Sequence, residues 1–474
     1  MVGTLQKDKL FLSEVRRFPN EPSYEKQTVH WNVPLLYQNT MEALREVGGY
    51  EETIRSVSCS SWTGDYFVFG SDITLLTPTS RPPEAQVAKT MEEFFKRIPA
   101  ETLYEQTGVI PVSTNMLFQL AAELPKRFKR AEYLMPIADS FNFLLSGVPA
   151  VEWSLASGTQ LFNPTENTWI STLIDELKLP PKLAGKVFPK LVPAGTKLGP
   201  LSAPIARETN LEDVEVVAAC SHRLAAALAG LPADNREHWA FLVPGSTAIM
   251  GTELRGPIIS EMGRSLGFSN ERGAYGNVRF SKRTVGDWII SECQRYWKEH
   301  DRELDGEVIT HLAISAEPFE ALINPSDPQF SEPGDMPLKI QAYCKETGQN
   351  IPRKPGAILR CVLESIALQY RKNLAEIEYL TGREIRRVYL LGGSKVDLLA
   401  NFTANALQVP VSIVPPDIAA FGSVLVQAVT MGQIESFDRA RELACHSLKL
   451  DTIIPHPAIW TGSYERFTEL AAAA

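Results

Sequence analysis

Three short stretches combine residue types that do chemistry with neighbours that would hold them still. Leu391-Gly392-Gly393-Ser394 follows an apolar, β-branched run and precedes a helical pattern. Adjacent glycines reach backbone conformations closed to other residues and let N–H groups approach an anion at a helix start. A tight bend with no ligand needs the same residues. Ser221-His222-Arg223 closes the apolar run Val214 to Cys220. A histidine there is either a hydrogen-bonded structural group or one that handles protons. Pro244-Gly245-Ser246-Thr247 separates two more apolar segments. The rings of Trp31, Trp62 and Trp153 are either core or flat surfaces on which a sugar stacks.

Several chemistries are excluded by what is absent. There is no Gly-Lys-Ser/Thr phosphate loop, no GxGxxG after a strand, no GxSxG elbow and no HExxH pair. Six cysteines lie far apart with no CxxC spacing, which reads as free thiols in a reducing cytoplasm and names no metal ligands. Asn401-Phe402-Thr403 matches a glycosylation sequon but falls in a predicted helix.

The elements that must position these residues are alternating strands and helices. Lys9 to Phe18 reads as a hairpin partner, and Leu36, Met41, Leu44 and Val47 mark a helix face. Ser56 to Phe69 reads as paired short strands about Gly64-Asp65, Met91 to Arg97 opens a helix, and Asn115 to Leu124 is amphipathic. Val214 to Cys220 is a buried-type strand feeding an Ala-rich helix, Leu224 to Leu231. Trp239 to Val243, the turn at Gly245, and Ala248 to Glu253 read as strand, turn, strand. Pro355-Gly356 precedes a helix with a stripe at Leu359, Val362, Ile366, Tyr370, Leu374 and Ile377, which Gly382 stops. Strand Val388 to Leu391, the glycine turn, a helix over 398–407 and strand Val411 to Val414 complete a β–turn–α–β unit, and the fold class is α/β.

The chain is 474 residues long with a formal charge of −9, so two large domains fit it and a nucleic-acid partner does not. The basic clusters Lys126 to Arg130 and Arg383 to Arg387 are short and read as solvated surface. Its most apolar long stretch, Val409 to Met431, is broken by Pro410, Pro415, Pro416 and Asp417, well short of the roughly 20 residues of a membrane span. The start, MVGTLQKDKL, has no signal-peptide core, and the expectation is a soluble, cytoplasmic protein. The polar stretch 232–238 reads as the domain boundary.

Longer segments carry a resemblance. They are Leu322 to Phe330, Pro333 to Pro337, Ala342 to Gln349, Arg360 to Leu368 and the Leu391-Gly392-Gly393 turn. Thr107 to Val109, Asn115 to Leu120, Leu134 to Pro136 and Ser157 to Leu161 extend it through the first half. The sequence resembles the FGGY carbohydrate kinases, and within them the rhamnulokinases. That likeness implies two actin-like (ribonuclease-H-like) ATPase domains around a central cleft, divided here as 1–236, the sugar side, and 237–474, the nucleotide side. It implies ATP-dependent phosphorylation of a ketose such as L-rhamnulose, with a carboxylate base and Mg²⁺. The partner is then a small sugar or sugar-derived metabolite.

At the chemistry positions the sequence departs from the family pattern. Family members open with a strand and a phosphate loop, and Met1-Val2-Gly3 aligns just beyond that loop. The expectation is that the chain starts after it, through truncation or a misplaced start codon. The family Ser-His-Asp that carries the base reads Ser221-His222-Arg223, and a guanidinium accepts no proton at neutral pH. The sugar motif Asp-Thr-Trp-Gly reads Ser60-Ser61-Trp62-Thr63, with Asp65 retained. The next Asp-Ser-Arg reads Thr79-Ser80-Arg81. The nucleotide hairpin reads Pro244-Gly245-Ser246-Thr247, a sugar-contacting Asn appears as Arg283, and a nucleotide-contacting Gln as Ser291. The adenosine turn keeps Gly392 and Gly393, but its third glycine is Ser394 and its Gln-Asn is Val396-Asp397.

The resemblance therefore assigns Trp62, Thr63, Asp65, His222, Arg223, Leu224 and Arg283 to the substrate and Ser246, Ser291, Gly392 and Gly393 to the nucleotide. It assigns no catalytic base and no metal ligand. The reading is a kinase homologue whose transfer activity is lost or impaired, leaving a pseudokinase or metabolite-binding role. An active atypical kinase and a non-catalytic scaffold are the alternatives.

Overall fold

The computed structural model describes residues 1–25, 28–76, 80–123, 128, 130–179, 188–233, 238–300, 304, 306–393, 397–456 and 459–472. The chain forms two compact units. The first comprises Met1–Asn235, Leu254–Phe280 and Asp417–Lys449, and the second Arg236–Glu253, Ser281–Pro416 and Leu450–Ala474. Residues 234–237 of the expected boundary, and Leu124, Lys126, Arg127 and Lys129, lie outside the described residues.

In the first unit the strand Glu215–Ala218 is central to a three-stranded sheet. It runs parallel to Ser56–Val57, pairing Val216 with Val57, and antiparallel to Thr196–Pro200. Both its faces are covered, with Val216, Val217 and Ala218 almost fully buried, as a continuous apolar run requires. The hairpin Val2–Gln6 with Lys9–Ser13 is a separate sheet. A cavity of about 480 Å³ is lined by Val2 to Leu5 of that hairpin and by Ser56 and Val57.

Ser56 to Phe69 does contain two strands, but they do not pair with each other. Tyr66–Phe69 instead runs antiparallel to Tyr133–Pro136. All four residues of Tyr66–Phe69 are buried, so burial on both faces left no period-2 pattern to show which strand it joins.

The helix Arg223–Ala229 follows the central strand and is buried from Leu224 to Ala229. Its alanines bring the helix Ile418–Thr430 very close, at a crossing marked by two glycines. A Cβ on Gly422 would lie 1.9 Å from the Ala226 carbonyl oxygen, and one on Gly230 would lie 2.8 Å from the Gly422 nitrogen. Only hydrogen fits at either place.

The second unit is organised on the strand Trp239–Val243. Thr247–Leu254 pairs with it antiparallel and Arg387–Leu391 parallel, and Val411–Val414 and Asp451–Ile453 continue the sheet outward. The helix Pro355–Thr381 buries the whole stripe from Leu359 to Ile377 and ends on Gly382 at φ +66°, as the sequence predicts. Pro355 and Gly356 fall inside its first turn instead of before it. Proline is suited to that position, and a Cβ on Gly356 would meet the Leu312 carbonyl oxygen at 2.4 Å. Among the described residues no helix is long and apolar enough to cross a membrane.

The helix crossing generates a stability test. Gly422→Ala forces the two helices apart in a packed interior and is expected to cost about 1–3 kcal/mol. Urea denaturation of the variant beside the parent chain measures it, and an unchanged midpoint would mean that the crossing yields freely.

Candidate active site

A backbone bridge assembles the first group of residues. The Ser61 N–H donates to the Ser221 carbonyl at 2.8 Å, and the Arg223 N–H donates to the Ser61 carbonyl at 2.8 Å. This parallel bridge sets Trp62 and Thr63 beside His222 and Arg223, although about 160 residues separate them in sequence.

Each side chain in the group is then fixed separately. The Trp62 ring lies 4.9 Å from that of Trp31, and its Nε1–H donates to Asp65. Asp65 also takes both bonds of a forked Arg81, at 2.6 Å each. Its carboxylate is 2 % exposed, so it acts by holding Trp62 and Arg81. The Thr63 methyl packs on Gly158, where a Cβ would meet it at 2.6 Å and Glu271 Oε1 at 3.6 Å.

His222 caps the helix Arg223–Ala229, its Nδ1 accepting from the Leu224 N–H at 3.0 Å, so the contribution of the buried Leu224 here is its amide. Arg279 reaches the same Nδ1 at 3.3 Å and is itself ion-paired to Glu271. The Arg223 side chain is exposed and forms no ion pair with the described residues.

A buried acid network lies under this segment. Ser221 Oγ donates to Asp139 at 2.6 Å and its N–H donates to Glu152 at 2.9 Å. Glu152 also accepts from the Ser154 N–H and hydroxyl, and the Ser154 hydroxyl accepts from the His222 N–H at 3.0 Å. Both acids are almost fully buried. Burial pushes Glu152 up to about 7. Burial, with the neighbouring Glu152 charge, holds Asp139 well above the usual carboxylate range.

In the second unit, Ser246 and Arg283 come together on a cavity of about 490 Å³ that Thr247, Thr284, Ser326 and Ser331 also line. The turn carrying Ser246 is pinned by N–H groups of Gly286 and Asp287 donating to the Ser246 and Gly245 carbonyls, at 3.1 and 3.0 Å. Ser291 is exposed on the helix Trp288–Glu299 and does not line this cavity. Gly392 adopts φ +75° at the end of Arg387–Leu391, a conformation that favours glycine. The turn beyond it, with Ser394 and Val396, lies outside the described residues, as does Thr79. Asp397 caps the next helix, accepting from the Leu399 N–H. Among the described residues no three His, Cys, Asp or Glu side chains gather as a metal site.

The N-terminal domain model of the FGGY family of carbohydrate kinases matches residues 7–229, and the C-terminal domain model matches 240–431. A rhamnulokinase of Bacteroides thetaiotaomicron is 33% identical over 473 residues, spanning 98% of this chain and 96% of its own length. The chain belongs to the FGGY family of carbohydrate kinases. A rhamnulokinase of Ligilactobacillus salivarius is 30% identical, with the same coverage. A ligand-bound xylulose kinase from Lactobacillus acidophilus shares the fold, with a TM-score of 0.81 over 98% of this chain and 94% of its own at 16% identity. The protein is thus a rhamnulokinase-like FGGY homologue with the two-domain α/β fold of the actin-like ATPases, as its sequence implies. By family, FGGY kinases use ATP, typically with Mg.

Asp139, Glu152, Glu271 and Arg279 adjoin the candidate site, and sequence reasoning missed them. Asp139 left a signal, as the acid in the otherwise apolar or small helix Ile137–Ser146. For Glu271 and Arg279 the signal was weaker, since charged residues in strands usually face solvent.

The acid pair fixes the sign of a pH effect. The folded chain holds these protons to higher pH than the unfolded chain, whose Glu152 titrates near 4.5. It therefore binds more protons between about pH 4.5 and 7, and unfolding free energy falls as pH rises through that window. Urea denaturation of the parent and Glu152→Gln across this range is expected to show a shallower slope in the variant, which keeps only the Asp139 share. Equal slopes would count against a raised Glu152.

Proposed function

We propose that this FGGY homologue binds a small sugar or sugar-derived metabolite and that its phosphoryl transfer from ATP is impaired. One observation carries the reading. At the family's base position the side chain is Arg223, exposed and unpaired among the described residues, and arginine has no lone pair to take a hydroxyl proton. Around it, Trp62, Thr63 and His222 form a set suited to a sugar, an aromatic face with polar groups beside it.

The cation Arg223 favours an anionic ligand such as a sugar acid or sugar phosphate over a neutral ketose. In the second unit, Ser246 and the Gly392-Gly393 turn fit contacts to ATP, which would bring the transferable phosphoryl group and, with Mg²⁺, neutralise its charge. Six free thiols support a cytoplasmic setting.

A second reading, an active atypical kinase, is favoured by Glu271. It is a carboxylate that Arg279 ties to His222 at the same site.

Isothermal titration and an ATP-dependent phosphorylation assay test these readings together. Sugar acids or sugar phosphates are expected to bind more tightly than neutral sugars, with the difference reduced in Arg223→Asp. Turnover is expected to be absent or at least 10²-fold below that of an active relative, the lower range of what a positioned acid or base contributes. Turnover by the parent chain at an active relative's rate overturns impairment. If no sugar, sugar acid or sugar phosphate binds, the ligand assignment falls.

A further inference from the structure

The ring of His222 meets two donors on one nitrogen. The Leu224 backbone N–H donates to Nδ1 at 3.0 Å, and Nη1 of Arg279 stands 3.3 Å from that same atom. Neither partner has an acceptor to offer, because an amide N–H and a guanidinium only donate. Nδ1 therefore accepts from both. We infer that His222 is held as the neutral tautomer with its proton on Nε2, and that Arg279 is the positioning residue that selects this form.

Arg279 is well placed to select it. The residue is 4 % exposed, and its Nη2 is ion-paired to Glu271. The guanidinium is therefore clamped from the far side and does not swing off the ring. A proton on Nδ1, in the other tautomer or in imidazolium, would set three donors against one another and break both contacts. The main chain adds a second restraint, since the His222 N–H is bonded to Ser154 and the residue caps its helix.

The consequence is chemical. A ring fixed this way has an N–H at Nε2 and no lone pair there. At that atom it only donates, to a hydroxyl, carbonyl or carboxylate oxygen, and does not take a proton from a sugar hydroxyl. That recognition role rests on the reading of His222 as a ligand contact. The tautomer itself does not, and it is measured without ligand.

Long-range ¹H–¹⁵N correlation spectra of the full chain, labelled with ¹⁵N-histidine, give the test, with His222→Asn identifying the signal. The parent is expected to show one ring nitrogen of lone-pair type and one of N–H type, with the coupling pattern that places the proton on Nε2. In Arg279→Met the two shifts are expected to move toward each other as the tautomers exchange. Because that variant strands the Glu271 charge, the double variant Glu271→Gln, Arg279→Met is run beside it. A proton on Nδ1, or averaged shifts in the parent, overturns the inference. A parent-like spectrum in both variants overturns the role of Arg279 and leaves selection to the Leu224 amide. Failure of sugars to bind moves none of these signals, so it bears on the functional reading alone.

Discussion

The pair of 2.8 Å backbone hydrogen bonds between Ser61 and the Ser221–Arg223 segment is the constraint on which the candidate site depends. Those bonds extend a parallel pairing that begins at Ser56 and Val57, beyond the point where either strand is regular. Without them, Trp62 and Thr63 would hang on a loop. With them, the two residues share a fixed frame with His222 and Arg223. Backbone bonds are indifferent to side-chain identity, so the frame does not depend on which side chain stands at position 223.

Two further features keep that frame from moving. Behind it, the glycine crossing at Gly230 and Gly422 leaves the Arg223–Ala229 helix no room to slide. Beneath it, Glu152 and Asp139 accept hydrogen bonds from Ser221, and Glu152 reaches His222 through Ser154. The second feature has a cost. Asp139 Oδ2 has no hydrogen-bond partner among the described residues, and neither has Asn142 Nδ2 one helical turn on. Buried acids with raised affinity for protons are the physical expression of that cost.

The range of each interaction decided whether the sequence revealed it or hid it. The helix Pro355–Thr381, its glycine stop and the strand–turn–helix at Gly392 were legible because each is set by neighbours in the chain. The Ser246 turn was legible in the same way. The pairings of Ser56–Val57 and Tyr66–Phe69 were not, since a buried strand shows no alternation and its partner is chosen by the whole core. Of the candidate site, the resemblance named Trp62, Thr63, His222 and Arg223, which the Ser61 bridge brings together, while the ion pair Glu271–Arg279 was not legible. Nothing local distinguishes it from two charges on a solvated surface, and only the fold brings it to His222.

That ion pair bears on what the candidate site can offer a ligand. In an FGGY site the Ser-His-Asp segment would supply one donor, the histidine, and one acceptor, the carboxylate. At position 223 this chain carries an exposed guanidinium, and the geometry at Nδ1 keeps the His222 ring a donor as well. The His222 and Arg223 side chains then offer donors, and their complement is a group rich in oxygen lone pairs. The exposed Arg283 among the hydroxyls of the second unit's cavity has the same polarity. On the proposed reading, the one arginine both withholds a proton acceptor and offers a donor to anionic oxygen.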